Sequence, residues 1–264
     1  MARQSLTAIA NEEGTDKGTL GPTDDWRGHN YTDIYDAYLH PLRDREVTML
    51  EIGLGVDGPN WRAQMAKGRN ATGGASLRTW YRYFPKARIL GVDINPAGFL
   101  DNDRIVTGVV DQGDPHQLRA FLAEQGVGQL DVIIDDGSHR PDHQQISLSA
   151  LFSYLAPSGL YFIEDLMTNG MGDGKENRYA SSEVLNTRSV LRGFTEHGEF
   201  PRPHALVDPA ALAAAIGTVA FHCPVVRNGP KVGRLPSIIN RRQAAPRFIA
   251  GNEEMCVITK EPGP

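Results

Sequence analysis

Short, nearly continuous apolar runs recur along the chain, and most of them stop at an acid or a glycine. They read VTMLEIGL (47–54), ARILGVDI (87–94), DRIVTGVV (103–110), LDVIIDDG (130–137) and GLYFIEDL (159–166). The first, second, fourth and fifth of these runs, by their length and β-branched content, suit strands covered on both faces, as in a parallel sheet. Between them lie the helical stretches SLRTWYRYF (76–84), HQLRAFLAEQ (116–125) and HQQISLSALFSYL (143–155), the last stopped by Pro157 and Gly159. Strand–helix alternation predicts an α/β, Rossmann-like, doubly wound and mostly parallel sheet with helices on both faces. Farther on, SSEVLNTRSVLRGFTEH and DPAALAAAI predict helices, and GTVAFHC and MCVITKEP predict closing strands. The stretch PVVRNGPKVGRLPSIINRRQAAPR carries no assignable pattern.

The first run continues into LEIGLGVDG (50–58), a letter-for-letter match to G-x-G-x-x-G. A dinucleotide fold opens a helix on the third glycine and places a ribose-binding acid about 20 residues later. Here Gly58 leads into the loop-like PNWRAQMAKGRNATGGAS, and the next strand-end acid, Asp93, follows 35 residues after it. The spacing argues against NAD. Glu51, Gly53 and Asp93 suit S-adenosylmethionine better. Glycine admits close backbone approach, Asp93 can accept two ribose hydroxyls, and carboxylates favour the sulfonium and amino groups. A plain strand-to-loop turn is the alternative for these glycines.

Two more strand ends carry Asp135-Asp136-Gly137-Ser138-His139 and Glu164-Asp165. Parallel strands bring these ends to one edge. Asp136, Glu164 and Asp165 facing a cleft would repel without a cation, and oxygen-only ligation favours Mg²⁺, Mn²⁺ or Ca²⁺ over zinc. His139, three residues past Asp136, can take a proton near neutrality. Aspartates before Gly-Ser also suit an ordinary turn. His139 and His143 have the i, i+4 spacing of a zinc pair, but HRPDH lacks the glutamate of the protease motif.

Composition narrows the choice of partners. A net charge of −5 over 264 residues argues against nucleic acid or acidic lipid as ligand. Two cysteines, Cys223 and Cys256, make no disulfide framework, so a reducing cytoplasm is expected. No run reaches membrane-span length and the N-terminus has no apolar leader segment. A small-molecule substrate and a homo-oligomer are expected.

VIIDDGSHRPDHQ and GLYFIEDL, with SLRTWYRYFPKARILGVDI before them and GTDKG near the N-terminus, resemble the metal-dependent sugar O-methyltransferases of antibiotic biosynthesis. These are the macrocin and mycinamicin type and the enediyne-pathway TDP-rhamnose 3-O-methyltransferases. The resemblance covers roughly residues 14–168. It implies a class I methyltransferase fold, S-adenosylmethionine and a divalent ion. Asp136, Glu164 and Asp165 would be metal ligands, with His139 as general base toward a chelated sugar diol. Glu51, Gly53, Asp93, Asp111, Gln112 and Asp135 would line the cofactor site. Thr15, Asp16, Lys17 and Tyr31 match a segment that folds over the cofactor.

Two features depart from that pattern. GTLGPTDDWRG separates Lys17 from His29, where the family closes within a few residues, which puts the covering segment in question. The chain also begins near GTDK, as the compact enediyne-type members do, which implies a nucleotide-linked sugar. The expected organisation is a single domain, 1–264. A covering segment (1–46) precedes a nucleotide-binding core (47–166), and a flap around 169–182 with closing strands completes it (167–264). A metal-dependent hydrolase and a non-catalytic cofactor-binding accessory protein are the rival readings.

Overall fold

The apolar runs form the first five strands of a seven-stranded sheet in the order β3-β2-β1-β4-β5-β7-β6. A computed structural model of the chain describes residues 3–23, 27–63, 65–166, 184–224 and 254–263. Strands β1 (Thr48–Ile52), β2 (Arg88–Asp93), β3 (Ile105–Val109), β4 (Leu130–Asp135) and β5 (Leu155–Ile163) pair in parallel. β7 (Met255–Lys260) runs antiparallel between β5 and β6 (Ile216–His222). The strand order reverses between β1 and β4, where open α/β sheets place their ligands.

Alternation along the strands sorts side chains into two cores. Leu50, Ile52, Leu90, Val92 and Ile133 pack with helices α4 (Pro115–Glu124), α5 (Pro141–Leu151), α6 (Thr187–His197) and α7 (Pro209–Ala215). Met49, Ile89, Val132, Ile134 and Phe162 pack with α1 (Leu6–Glu13), α2 (Thr32–Leu39) and α3 (Ala75–Tyr83). Each fully buried side chain of this size contributes about 1.5–3 kcal/mol relative to exposure. Local signals set the helix starts: Ser5, Asp114, Asn186 and Asp208 cap α1, α4, α6 and α7 with side-chain oxygens, and Pro115 occupies the first turn of α4.

The helix expected over 143–155 ends earlier, at Leu151, and Pro157 and Gly159 lie inside β5 rather than stopping a helix. They are tolerated because the β4–β5 register skips from Leu130↔Leu155 to Val132↔Leu160, leaving 156–159 out of the ladder. The predicted C-terminal helices and strands correspond to α6, α7, β6 and β7. The expected flap at 169–182 lies outside the described residues, as does nearly all of the stretch without assignable pattern. Among the described residues, no helix is long and apolar enough to cross a membrane.

No helix opens on Gly58. Among the described residues from Gly53 to Gly74 the chain is loop, with a short 3-10 turn at Gly68–Asn70, and α3 starts only at Ala75. Fully buried Asn95, two residues past β2, holds this loop: its amide donates to Val56 O and Trp61 O, both at 2.9 Å, and accepts from Asn60 N at 2.9 Å. Gly58 rests against the Asn95 side chain, leaving the dinucleotide reading without its helix.

Candidate active site

Three carboxylates follow the same alternation that sorts the cores. Glu51 replaces an apolar residue on the α1–α3 face of β1, and Asp136 and Glu164, one residue past β4 and β5, project to that same face. There they meet one cation. Lys17 Nζ hydrogen-bonds Asp136 Oδ2 and Glu164 Oε1, the latter at 2.7 Å, and lies 3.6 Å from Glu51 Oε1. Tyr35 OH donates to the same Glu164 oxygen, and Trp80 Nε1 donates to Glu51 Oε2 at 3.1 Å. Glu51 Oε1 has no hydrogen-bond partner among the described residues.

Lys17 reaches this position because the chain between it and Tyr31 loops out and returns. His29 N donates to Asp16 O at 2.6 Å, Asn30 N to Gly18 O at 2.8 Å and Thr32 N to Lys17 O at 3.0 Å. Leu20 and Arg27 form an isolated antiparallel bridge within the loop. Gly28 is required at the crossing, since a Cβ there would lie 2.0 Å from Gly18 O. The eleven residues that separate GTDK from His29 thus leave Lys17 and Tyr31 together. Buried Thr15 turns its hydroxyl to Lys17 N at 3.4 Å.

A second group opens outward from this floor. Tyr31 OH donates to Asp165 Oδ1 at 2.6 Å, and His139 Nε2 lies 3.5 Å from Asp165 Oδ2. His29 stands on the other side, its Nδ1 4.0 Å from Asp165 Oδ1 and its Nε2 3.4 Å from Asp16 Oδ2. Asp136, His139 and Asp165 each offer a ligand atom, all within 4.8 Å of one another. His139 and Asp165 both hold left-handed backbone, φ 57° and 54°. Non-glycine residues keep such conformations at a cost of order 1–3 kcal/mol, which the surrounding structure must sustain. The cation-competent set includes His139, while Glu164, which accepts from Lys17 and Tyr35, stands outside it in this conformation.

The charges are out of balance. Burial pushes Glu51 up to about 7 against the pull of Lys17, with Asp136 repelling it further. Burial and the repulsion of Asp136 hold Glu164 well above the ordinary carboxylate range, despite Lys17 and Tyr35. Burial opposes the Lys17 charge, yet Asp136, Glu164 and Glu51 outweigh it and raise its value. Burial also works to raise Asp165, but His139, His29 and the Tyr31 hydrogen bond keep it below its usual value. Acids in such excess over cations, at a partly open mouth, fit a divalent ion.

The remaining expected residues serve the walls. Gly53, at φ 86°, has no room for a side chain: a Cβ there would lie 2.1 Å from the Asp136 carbonyl oxygen. Its role is to let the β1 and β4 ends close on each other. Asp93 accepts from Leu54 N at 2.8 Å and Asn95 N at 2.9 Å, tying the glycine loop to β2. Asp135 points to the opposite core. It is fully buried there and accepts from Gln112 Nε2 at 2.7 Å and from Ser147 Oγ, and burial pushes it up to about 6. Gln112 Oε1 in turn accepts from Ser138 N at 2.9 Å, and Asp111 accepts from Gly113 N at 2.8 Å on the exposed rim. His143 pairs with Ser138 Oγ through Nδ1 at 2.9 Å and stands outside the cation-competent set, against a zinc pair with His139.

Sequence reasoning missed Tyr35, Trp80, His29 and Ser147. Tyr31 and Tyr35 are spaced four apart at the start of α2, one helix face, and that spacing was the available signal.

No family model matches the chain. It is 41% identical over 224 residues to the 8-demethyl-8-alpha-L-rhamnosyl tetracenomycin-C 2'-O-methyltransferase of Streptomyces olivaceus, covering 82% of this chain and 52% of that protein. It is 34% identical over 198 residues to the demethylmacrocin O-methyltransferase of Streptomyces fradiae, covering 74% and 47% respectively. Among solved structures, the MycE methyltransferase of the mycinamycin pathway, in complex with Mg and SAH, superposes with a TM-score of 0.65 at 26% identity. That match covers 99% of this chain and 55% of the other, well beyond residues 14–168. The chain spans about half the length of these relatives. With these matches on top of the strand order and the acid-lined edge, the chain is a homologue of the sugar O-methyltransferases of macrolide and tetracenomycin biosynthesis, built on their Rossmann-like class I methyltransferase fold.

Proposed function

We propose that this protein transfers the methyl group of S-adenosylmethionine to a deoxysugar hydroxyl with the help of a divalent cation. The observation that carries the reading is the convergence of Asp136, His139 and Asp165 within 4.8 Å, at the sheet edge beside the β1–β4 switch point. The relatives' names and the Mg and SAH of the MycE complex support it.

Asp136 and Asp165 would hold the cation, with Glu164 on the same edge as the third carboxylate. Bound there, Mg²⁺ or a similar ion would lower the pKa of a sugar hydroxyl, and S-adenosylmethionine would supply the methyl group. His139, beside Asp165, takes the hydroxyl proton on its imidazole. Glu51, Gly53 and Asp93 shape the floor and β2 wall of the cofactor crevice. Gln112 and Asp135 brace it from beneath and Asp111 borders it. Thr15, Lys17 and Tyr31 close it on the N-terminal side, which excludes water and fixes the reacting partners. The chain's own part is positioning and proton transfer.

The relatives' names describe sugars already carried on an aglycone; a nucleotide-linked sugar is the other acceptor class, and both belong in the test. Purified protein is incubated with S-adenosylmethionine, Mg²⁺ and a panel of rhamnosylated aglycones and nucleotide-linked rhamnose, and products are read by mass spectrometry. A 14-dalton gain on one sugar is expected. Hydrolysis of an acceptor without affinity for S-adenosylmethionine would select the hydrolase instead. A homo-oligomer, measurable by light scattering, and a reducing cytoplasm suited to unpaired Cys223 and Cys256 complete the reading.

A further inference from the structure

Lys17 is the only lysine or arginine that ion-pairs with the floor carboxylates among the described residues, and it is nearly sealed from solvent, its side chain 2% exposed. It joins the N-terminal segment to three strand ends at once: Glu51 in the last residues of β1, Asp136 just after β4 and Glu164 just after β5. Two of these acids are the ones assigned above to the divalent ion, so the inference rests on that reading. The same Glu164 oxygen serves both Lys17 and Tyr35, which keeps this carboxylate on the floor while His139 stands with Asp136 and Asp165 at the mouth.

An ammonium and a divalent ion at the same carboxylates repel each other strongly, because like charges at contact distance in a buried site are poorly screened. We propose that Lys17 is a built-in counter-cation that competes with the divalent ion for Asp136 and Glu164. Metal loading displaces its ammonium from both acids and leaves it with Glu51. Two consequences follow. The lysine lowers the apparent metal affinity while it holds the metal-free fold together. It also couples the docking of residues 14–31 to metal loading, since the segment's ionic anchor on β4 and β5 is the one that the metal replaces.

The test compares wild type and Lys17→Met after chelator treatment, with Mn²⁺ alone as probe. Calorimetry should show Mn²⁺ bound about tenfold or more tightly by the variant. Without metal the variant should melt lower than wild type, and Mn²⁺ should raise its midpoint by more than it raises the wild type's. A variant that folds only with Mn²⁺ supports the proposal equally. Mn²⁺ binding by Lys17→Met that is equal to or weaker than wild type overturns it. If Lys17→Met does not fold under any condition, Lys17→Met with Glu164→Gln decides: recovery of the fold shows that the lysine balances charge, and continued failure overturns the proposal. Wild type that binds no Mn²⁺ defeats the metal reading itself, an outcome distinct from the others.

Discussion

Lys17 and Glu164 lie 147 positions apart, yet their charged groups meet at 2.7 Å beneath the edge of the sheet. The contact ties the N-terminal segment to the end of β5. It also places the acids of three strand ends around one centre, and substitutions around that centre have distinct expected effects.

Gly53→Ala tests how closely the β1 and β4 ends approach. Its left-handed φ and the 2.1 Å approach of the Asp136 carbonyl leave no room for a methyl group. A loss of about 2 kcal/mol or more is expected in urea unfolding. Because Asp136 is the residue that must move, metal affinity should fall as well. A stability change under about 0.5 kcal/mol would contradict the geometry.

The buried Glu51 carboxyl should leave a signature in the pH dependence of metal-free stability. Its value rises from 4.5 in the open chain to about 7 in the fold, chiefly through burial. Between those values the folded state holds the proton that the unfolded state has released. Stability from this group is therefore complete below about 4.5 and is lost as pH rises through about 7. The stability difference between wild type and Glu51→Gln should shift against wild type by about 3 kcal/mol at most across that window. Equal pH slopes for the two proteins would remove Glu51 as the cause.

His139→Ala separates proton transfer from ligation. As the proton acceptor, His139 should be worth about 10²–10⁴-fold in kcat with little change in cofactor affinity. Its place 3.5 Å from Asp165 allows the other role, in which excess Mg²⁺ would restore the rate. We expect no restoration at saturating metal.

The two cysteines should react very differently. Cys256 is buried in β7 and its thiol is pushed well up by burial, whereas Cys223 is exposed. Ellman's reagent should titrate one thiol per native chain and two after denaturation. Two fast native thiols would show that β7 is not seated as described.

Much of this architecture is legible in the amino-acid sequence alone. Four apolar runs mark β1, β2, β4 and β5, and even the antiparallel pair is visible in GTVAFHC and MCVITKEP. The strand-end acids can also be sorted by alternation alone. Asp135 shares the face of Ile133 while Asp136 shares that of Ile134, so the two neighbours enter opposite cores. Other features lie beyond local pattern. Asn95 holds a loop more than thirty positions away, and Lys17 finds acids 119 and 147 positions on, contacts set only when the sheet assembles. Pro157 and Gly159 mislead because a register skip hides them from the ladder.

Metal-dependent methyl transfer at the edge formed by Asp136, Glu164 and Asp165 is tested most directly by following product formation from S-adenosylmethionine and the accepted sugar. Wild type and Asp165→Ala are compared in EDTA and then with Mg²⁺ restored. Wild type should give no product in EDTA and recover with Mg²⁺. Asp165→Ala should not recover, although the cofactor still binds. Full turnover in EDTA, or an Asp165→Ala variant as active as wild type, would contradict a metal-dependent reaction at this edge.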